Sequence, residues 1–339
     1  MPDLREVFRA ATQEVHPDQG FLERQQSHQL RRARNRRFGT LVLVAALVLV
    51  TAVFAIRLAG GNLSQPAVRP TPWIDVKPGV YRVDVATGDL LRIAKVPSSP
   101  ADASPDGSAI AFGGFASGGR QIFVASPDGS QVRRITRDPY EVIDADWSPD
   151  GGKLAVVAFG RNGTDRSISI VDLDTGRMRQ LTHESADASN PAWSPDGTQI
   201  LYTVGETSQD SVLRLVDLAT GKATQLTEPG EAAADGSWSP DGSTIAFALD
   251  VVGGGPDDSQ GIVLMNADGT GWRVLVRDVR AWGPVWSPDG TRIAYFADYS
   301  GFCCDTLVFD LATGESRAVA DGGRFPTWLD DDTLIVEIR

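Results

Sequence analysis

The pentapeptide Trp147-Ser148-Pro149-Asp150-Gly151 leaves this chain few folds to choose from, because it is one of a series. It returns at Trp193–Gly197, Trp238–Gly242 and Trp286–Gly290, and Ala103–Gly107 is a copy without the tryptophan. Read from serine to serine, the spacings are 44, 46, 45 and 48 residues. A period in the forties means one supersecondary unit copied along the chain. Proline presets φ for the second position of a tight turn, aspartate bonds back to its own backbone, and glycine takes the left-handed conformation that closes a hairpin. Short runs rich in β-branched and aromatic residues follow the turn: Leu154–Phe159, Gln199–Tyr202, Thr244–Phe247 and Arg292–Phe296. A second hairpin comes next. Its strands are typified by Ser169–Leu173 and Arg179–Thr182, joined through Asp174-Thr175-Gly176. Four antiparallel strands per repeat predict one blade of a β-propeller.

The ends of the repeat array predict how it closes. Gly79–Ile93 reads like strands three and four of a repeat with no first half, and Phe325–Val336 reads like strands one and two with no second half. Joined, residues 78–95 and 325–339 complete a sixth blade and remove the free sheet edges of an open array. The expected fold is therefore all-β: a six-bladed β-propeller of four-stranded antiparallel blades over residues 78–339.

The W-S-P-D-G turn, the I-A-F strand after it and the V-D-x-x-T-G hairpin resemble the WD40-like repeat of TolB-type propellers, over roughly residues 78–339. Two copies depart from that pattern: Ala103 replaces tryptophan, and Leu329-Asp330-Asp331-Asp332 replaces the SPDG turn. The resemblance implies a propeller that binds partners at the cell envelope. TolB carries an α/β domain before its propeller, and this chain has an apolar segment there instead.

That segment, Gly39–Ile56, has no charged residue and would span about 27 Å as a helix, close to the hydrocarbon thickness of a bilayer. Arg31, Arg32, Arg34, Arg36 and Arg37 precede it, so the positive-inside rule places residues 1–37 in the cytosol and the propeller outside. The organisation read here is a cytosolic Arg-rich segment (1–37), a single transmembrane helix (38–57), a Pro/Gly linker (58–77) and the propeller. The cytosolic segment is helix-compatible, with Leu4, Val7, Phe8, Ala11 and Val15 on one face; it reads first as a solvated juxtamembrane helix, and alternatively as a docking helix for a cytosolic partner. The whole chain carries 32 basic and 44 acidic residues, a net charge of −12. Removing the nine arginines and five acids of residues 1–57 leaves 23 against 39, a net of −16, so nucleic acid is an unfavourable partner for the propeller.

Chemistry-bearing residues are sparse. Beyond residue 57 the one histidine is His183, in a loop where a surface role is expected, and no G-x-S-x-G occurs. No catalytic residue is assigned, and no metal or cofactor is expected. The position three residues before each repeat tryptophan holds Asp144, Asn190, Asp235, Gly283 or Phe325, and these enter the innermost strands near the channel mouth. Oxygen ligands there would suit Ca²⁺, or they are ordinary polar residues at a channel entrance. Asp144, Asn190 and Asp235, with Asp257 and Asp258 of a long loop, are the candidate binding residues. They belong to an acidic loop face opposite the SPDG turns that also includes Asp138, Glu141, Glu184, Asp187, Glu228 and Glu231. Cys303-Cys304 is a candidate vicinal disulfide, with free thiols or an intermolecular bond as the other outcomes.

The functional expectation is a membrane-anchored, extracytoplasmic, non-enzymatic binding or scaffold module for a protein or cell-envelope ligand. The alternative is a Ca²⁺-dependent hydrolase of the six-bladed lactonase type, with its site in the channel.

Overall fold

The computed structural model describes residues 79–94, 99–116, 119–137, 141–160, 165–207, 209–250, 260–277, 280–298 and 304–338. The cytosolic segment, the apolar span and the linker lie outside these residues, as do Asp138, Asp257, Asp258 and Cys303.

Gly79–Asp84 (β1) and Leu90–Ala94 (β2) come first along the chain. Blade one follows: Ser99–Ala103 (β3), Ile110–Ala116 (β4), Gly119–Ala125 (β5) and Arg133–Arg134 (β6). Blade two is Val142–Trp147 (β7), Lys153–Phe159 (β8), Arg166–Asp172 (β9) and Met178–Gln180 (β10). Blade three is Ala188–Trp193 (β11), Gln199–Val204 (β12), Val212–Asp217 (β13) and Ala223–Gln225 (β14). Blade four is Ala233–Trp238 (β15), Thr244–Asp250 (β16), Gln260–Asn266 (β17) and Arg273–Val276 (β18). Blade five is Arg280–Trp286 (β19), Arg292–Asp298 (β20), Cys304–Asp310 (β21) and Glu315–Ala320 (β22). Gly323–Asp330 (β23) and Thr333–Ile338 (β24) complete the set. The strands form six four-stranded antiparallel sheets, and one of them has the order β2-β1-β24-β23. Strand β1 pairs with β24 without a break, from Gly79 opposite Ile338 to Asp84 opposite Thr333.

The repeated pentapeptide is a folding device. In blade two the Gly151 N–H donates to the Ser148 carbonyl at 2.8 Å. The buried Ser148 hydroxyl donates to Asp150 Oδ1 at 2.6 Å and accepts from the Lys153 N–H at 2.9 Å. Ser104, Ser194, Ser239 and Ser287 repeat these contacts. The serine hydroxyl is the largest influence holding the carboxyls of Asp150, Asp196 and Asp241 below the usual range, and it helps bring Asp106 down to about 2. Replacing Ser194 by alanine strips the partly buried Gln199 N–H of its acceptor. The Ser194→Ala protein is expected to lose about 1–2 kcal/mol in urea unfolding, and an unchanged midpoint would show that the turn holds itself by backbone contacts.

Several of the repeat tryptophans seal their blade against the one before it. Trp147 packs with Ala111 and Ile122 of blade one, Trp193 with Ala155 and Ile168 of blade two, and Trp328 with Ala294 and Val308 of blade five. Where blade one has Ala103, Phe112 clusters with Leu329 and Ile335 from across the blade boundary. Where β23 and β24 lack the SPDG turn, blade five supplies the support. The Arg292 guanidinium lies 5.2 Å from the Trp328 ring centroid and donates to the Asp331 carbonyl, while Asp331 Oδ1 accepts the Asp289 N–H at 3.0 Å.

Candidate functional site

Strands β3, β7, β11, β15, β19 and β23 each break their register at an equivalent place, between Ser99 and Asp102, Ile143 and Ala145, Ser189 and Ala192, Ala234 and Ser237, Trp282 and Val285, and Arg324 and Thr327, and β23 breaks again between Trp328 and Asp330. A bulge bends its strand and re-aims the side chains beside it. In five of the six the bulge carries a left-handed residue: Asp144 (φ 47°), Asn190 (49°), Asp235 (54°), Gly283 (56°) and Phe325 (49°). Asp and Asn tolerate that region better than other side chains, whereas Phe325 is strained there. All five line one central cavity of about 150 Å³, together with Asp102, Asp146, Ser237 and Thr327. Every blade contributes to its wall.

Asp144, Asn190 and Asp235, chosen from their place in the repeat, are thus brought to one opening. Asp257 and Asp258 lie outside the described residues. Asp102 and Asp146, one residue before the tryptophan position, were not singled out from the sequence, although the repeat alignment puts them in one column. Asp102 touches three blades: Oδ2 accepts the Trp147 N–H at 3.0 Å and Oδ1 accepts the Thr327 hydroxyl at 2.8 Å. Asp146 Oδ2 accepts the Trp193 N–H at 2.6 Å, and Asp235 Oδ2 accepts the Gly283 N–H at 3.2 Å. These carboxylates clip blade one to blade two and to the closing blade, blade two to blade three, and blade four to blade five.

Crowding four carboxyls in one channel makes ionisation costly. Burial pushes Asp102 up to about 6, against the lowering effect of the Thr327, Trp147 and Ala103 hydrogen bonds. Burial and then the charge of Asp235 raise Asp144 to about 6, with Arg166 and Arg120 opposing. Asp146 is raised well above the carboxylate range by burial and by Asp102, and Asp235 is raised by burial.

Around the opening the acidic loop face is more balanced than a count of its acids implies. Glu141 lies 3.7 Å from Arg120, Asp187 lies 2.6 Å from Arg166, and Glu184 pairs with Arg214 while accepting the Tyr202 hydroxyl at 2.7 Å. Glu141 and Asp187 each sit six residues before a tryptophan and each reaches back to the preceding blade, a pairing that a column-by-column reading of the repeats would find. On the far side, Phe296 stacks against Trp282 at 5.7 Å and meets Phe325 edge-on at 5.0 Å. His183 is exposed. Cys304 is buried on β21, and its pairing with Cys303 falls outside the described residues. Among the described residues no group of three His, Cys, Asp or Glu side chains is arranged to hold a metal ion.

Residues 74–219 match the family model described as the TolB beta propeller domain. Over those residues the chain is similar to the TolB-type propeller. Among solved structures, a putative TolB from Agrobacterium tumefaciens is similar to it at 19% identity and a TM-score of 0.65, covering 78% of this chain and 99% of that one. TolB from Acinetobacter baumannii is similar at 20% identity and a TM-score of 0.55, covering 74% of this chain and 65% of that one. A puromycin hydrolase matches at 17% identity and a TM-score of 0.50, covering 69% of this chain and 49% of that one. None of the curated proteins matches the sequence. At such identities the likeness establishes the fold, and a role must be assigned to this propeller from its own residues.

Proposed function

We propose that this TolB-type propeller is a non-enzymatic binding or scaffold module, anchored in the cytoplasmic membrane by residues 38–57 and presented outside it. Its ligand is a protein or cell-envelope component, engaged at the channel rim and the loops around it. The observation that supports this reading most is the rim backbone. Four side-chain-bearing residues adopt φ of 47–54° at one repeat position, where the equivalent Gly283 would relieve the strain. Strain held at equivalent positions around one opening is characteristic of recognition sites. The connections around that face vary, from 117–118 in blade one to 251–259 in blade four, whereas the turns 148–152, 194–198, 239–243 and 287–291 keep one length. Variable loops on a rigid scaffold are where binding concentrates.

A cationic ligand suits the rim carboxylates. Replacing Asp144, Asp235, Asp257 and Asp258 together by asparagine is expected to weaken binding of a fluorescent oligolysine peptide about ten-fold, and added salt should weaken the wild type. Undiminished binding by a folded quadruple variant would remove the rim from the reading. The facing carboxylates of Asp144 and Asp235 favour one alternative, a channel-centred Ca²⁺-dependent hydrolase. Metal analysis of the purified protein separates the two, since one tightly held Ca²⁺ per chain would support the hydrolase.

The anchoring has its own test. A reporter active only in the cytosol, fused after Arg339, should be silent, and activity there would place the propeller on the other side of the membrane.

A further inference from the structure

A second, larger cavity lies on the opposite face, at the boundary between blades two and three. It measures about 710 Å³, and Ile170, Trp193 and Leu218 are among the apolar residues lining it. Arg177 and Arg179 also line it. They stand two apart across the start of β10, so their side chains leave one face of the strand roughly 7 Å apart.

The charges of this groove are unequally committed. Asp150 accepts the Ser148 hydroxyl and the Gly152 N–H, and Asp172 accepts the Thr175 N–H and hydroxyl. Asp196 is held in the same way by Ser194 and Thr198. Lys153 faces Asp150 at 3.7 Å. Neither guanidinium has an ion pair or side-chain hydrogen bond among the described residues, and both arginines are exposed. Repeat symmetry shows what this position does elsewhere. Arg179 stands opposite Ile170 as Arg317 stands opposite Val308, two residues before the aspartate that ends each strand. Arg317 reaches across its blade boundary and donates to the Val85 and Ala86 carbonyls. Arg179 makes no such contact with blade three, and the boundary beside it stays open. The neighbouring position holds Lys222 in blade three and Glu315 in blade five, so the arginine pair is peculiar to blade two.

We propose that the groove between blades two and three binds an extended acidic segment of a partner protein, with Arg177 and Arg179 gripping alternate carboxylates and the apolar floor taking the side chain between them. Successive same-side residues of an extended chain lie roughly 7 Å apart, which matches the arginine spacing. Guanidinium–carboxylate bonds are charge-assisted and bidentate, and in this groove the two arginines are the cations left over once Asp150, Asp172 and Asp196 are engaged by their own turns and Lys153 faces Asp150. The site is separate from the rim and does not depend on it.

The test uses the full-length protein and a fluorescein-labelled peptide, Gly-Glu-Leu-Glu-Gly, followed by anisotropy at low salt. The wild type should bind it. The R177Q/R179Q variant should bind at least about ten-fold more weakly with an unchanged melting curve, while neutralising Asp144 and Asp235 should leave this affinity alone. Equal binding by the arginine variant, or equal binding of Gly-Lys-Leu-Lys-Gly by the wild type, would overturn the proposal. So would displacement of the peptide by an equimolar amount of inorganic phosphate, which would mark a simple anion site. A wild type that ignores the peptide, paired with an arginine variant of lower melting temperature, would make the pair an inter-blade clamp and overturn it as well.

Discussion

Deleting residues 327–339 is expected to abolish the cooperative thermal transition of the whole propeller. The deletion removes β24, and with it all six paired positions of β1 on that side. It also removes the Thr327 hydroxyl from Asp102 and the Trp328 ring from its cluster with Ala294 and Val308. Strands β1 and β2 alone are a two-stranded hairpin, which is marginal in water, and blades one and five would each lose a packed neighbour. Calorimetry should show no single transition, and hydrogen exchange should lose protection in every blade. Loss confined to Val80–Ile93 would mean that the remaining blades stand without closure.

Acidification is expected to stabilise the propeller between about pH 7.5 and pH 5. The folded pKa values of Asp102 and Asp144 are raised to about 6 from an ordinary 3.8, and Asp146 and Asp235 are raised as well. A carboxyl whose folded pKa is raised binds its proton more tightly folded than unfolded. Its stabilising contribution is therefore complete below the unfolded pKa and is lost as pH rises through the folded one. The charge that raises Asp146 is that of Asp102, whereas Asp144 feels Asp235, with Arg166 and Arg120 as the opposing charges. The turn aspartates act in the other sense, because lowered values such as that of Asp106, at about 2, withdraw stability only in stronger acid. Asparagine at position 146 keeps an oxygen for the Trp193 N–H and removes the charge. Asp146→Asn should be more stable than the wild type near pH 7.5 and should flatten the pH profile. A melting temperature that falls with acid over this window, or a variant with the wild-type slope, would show that channel water already solvates these carboxylates.

The fold was legible because its signal is repeated. A turn written five times, strands with β-branched residues after each, and two complementary half-repeats all point to a ring of four-stranded blades. The rim was legible in part: counting back three residues from each tryptophan finds Asp144, Asn190 and Asp235. It does not find why they belong together, because the bulge that turns them left-handed is a property of strand pairing and not of local sequence. Asp102 and Asp146 were passed over because an aspartate before an apolar residue reads as an ordinary strand position, and only the ring brings the next blade's N–H to it. The groove at Arg177 and Arg179 was hidden for a related reason. Arginines on an edge strand read as solvated charge until the carboxylates around them are seen to be engaged elsewhere.

The pairing of β1 with β24 also sets an order of events during synthesis. A ribosome delivers residues 79–94 early and residues 333–338 after every other strand has emerged. Until then one edge of β1 has no partner in its own sheet, although blades one to five can assemble in sequence behind it. An unpaired edge is a template for association with another chain, and an incomplete ring on a polysome is exposed to it for as long as translation lasts. A chain that stops before β24 therefore leaves that edge of β1 without its partner strand.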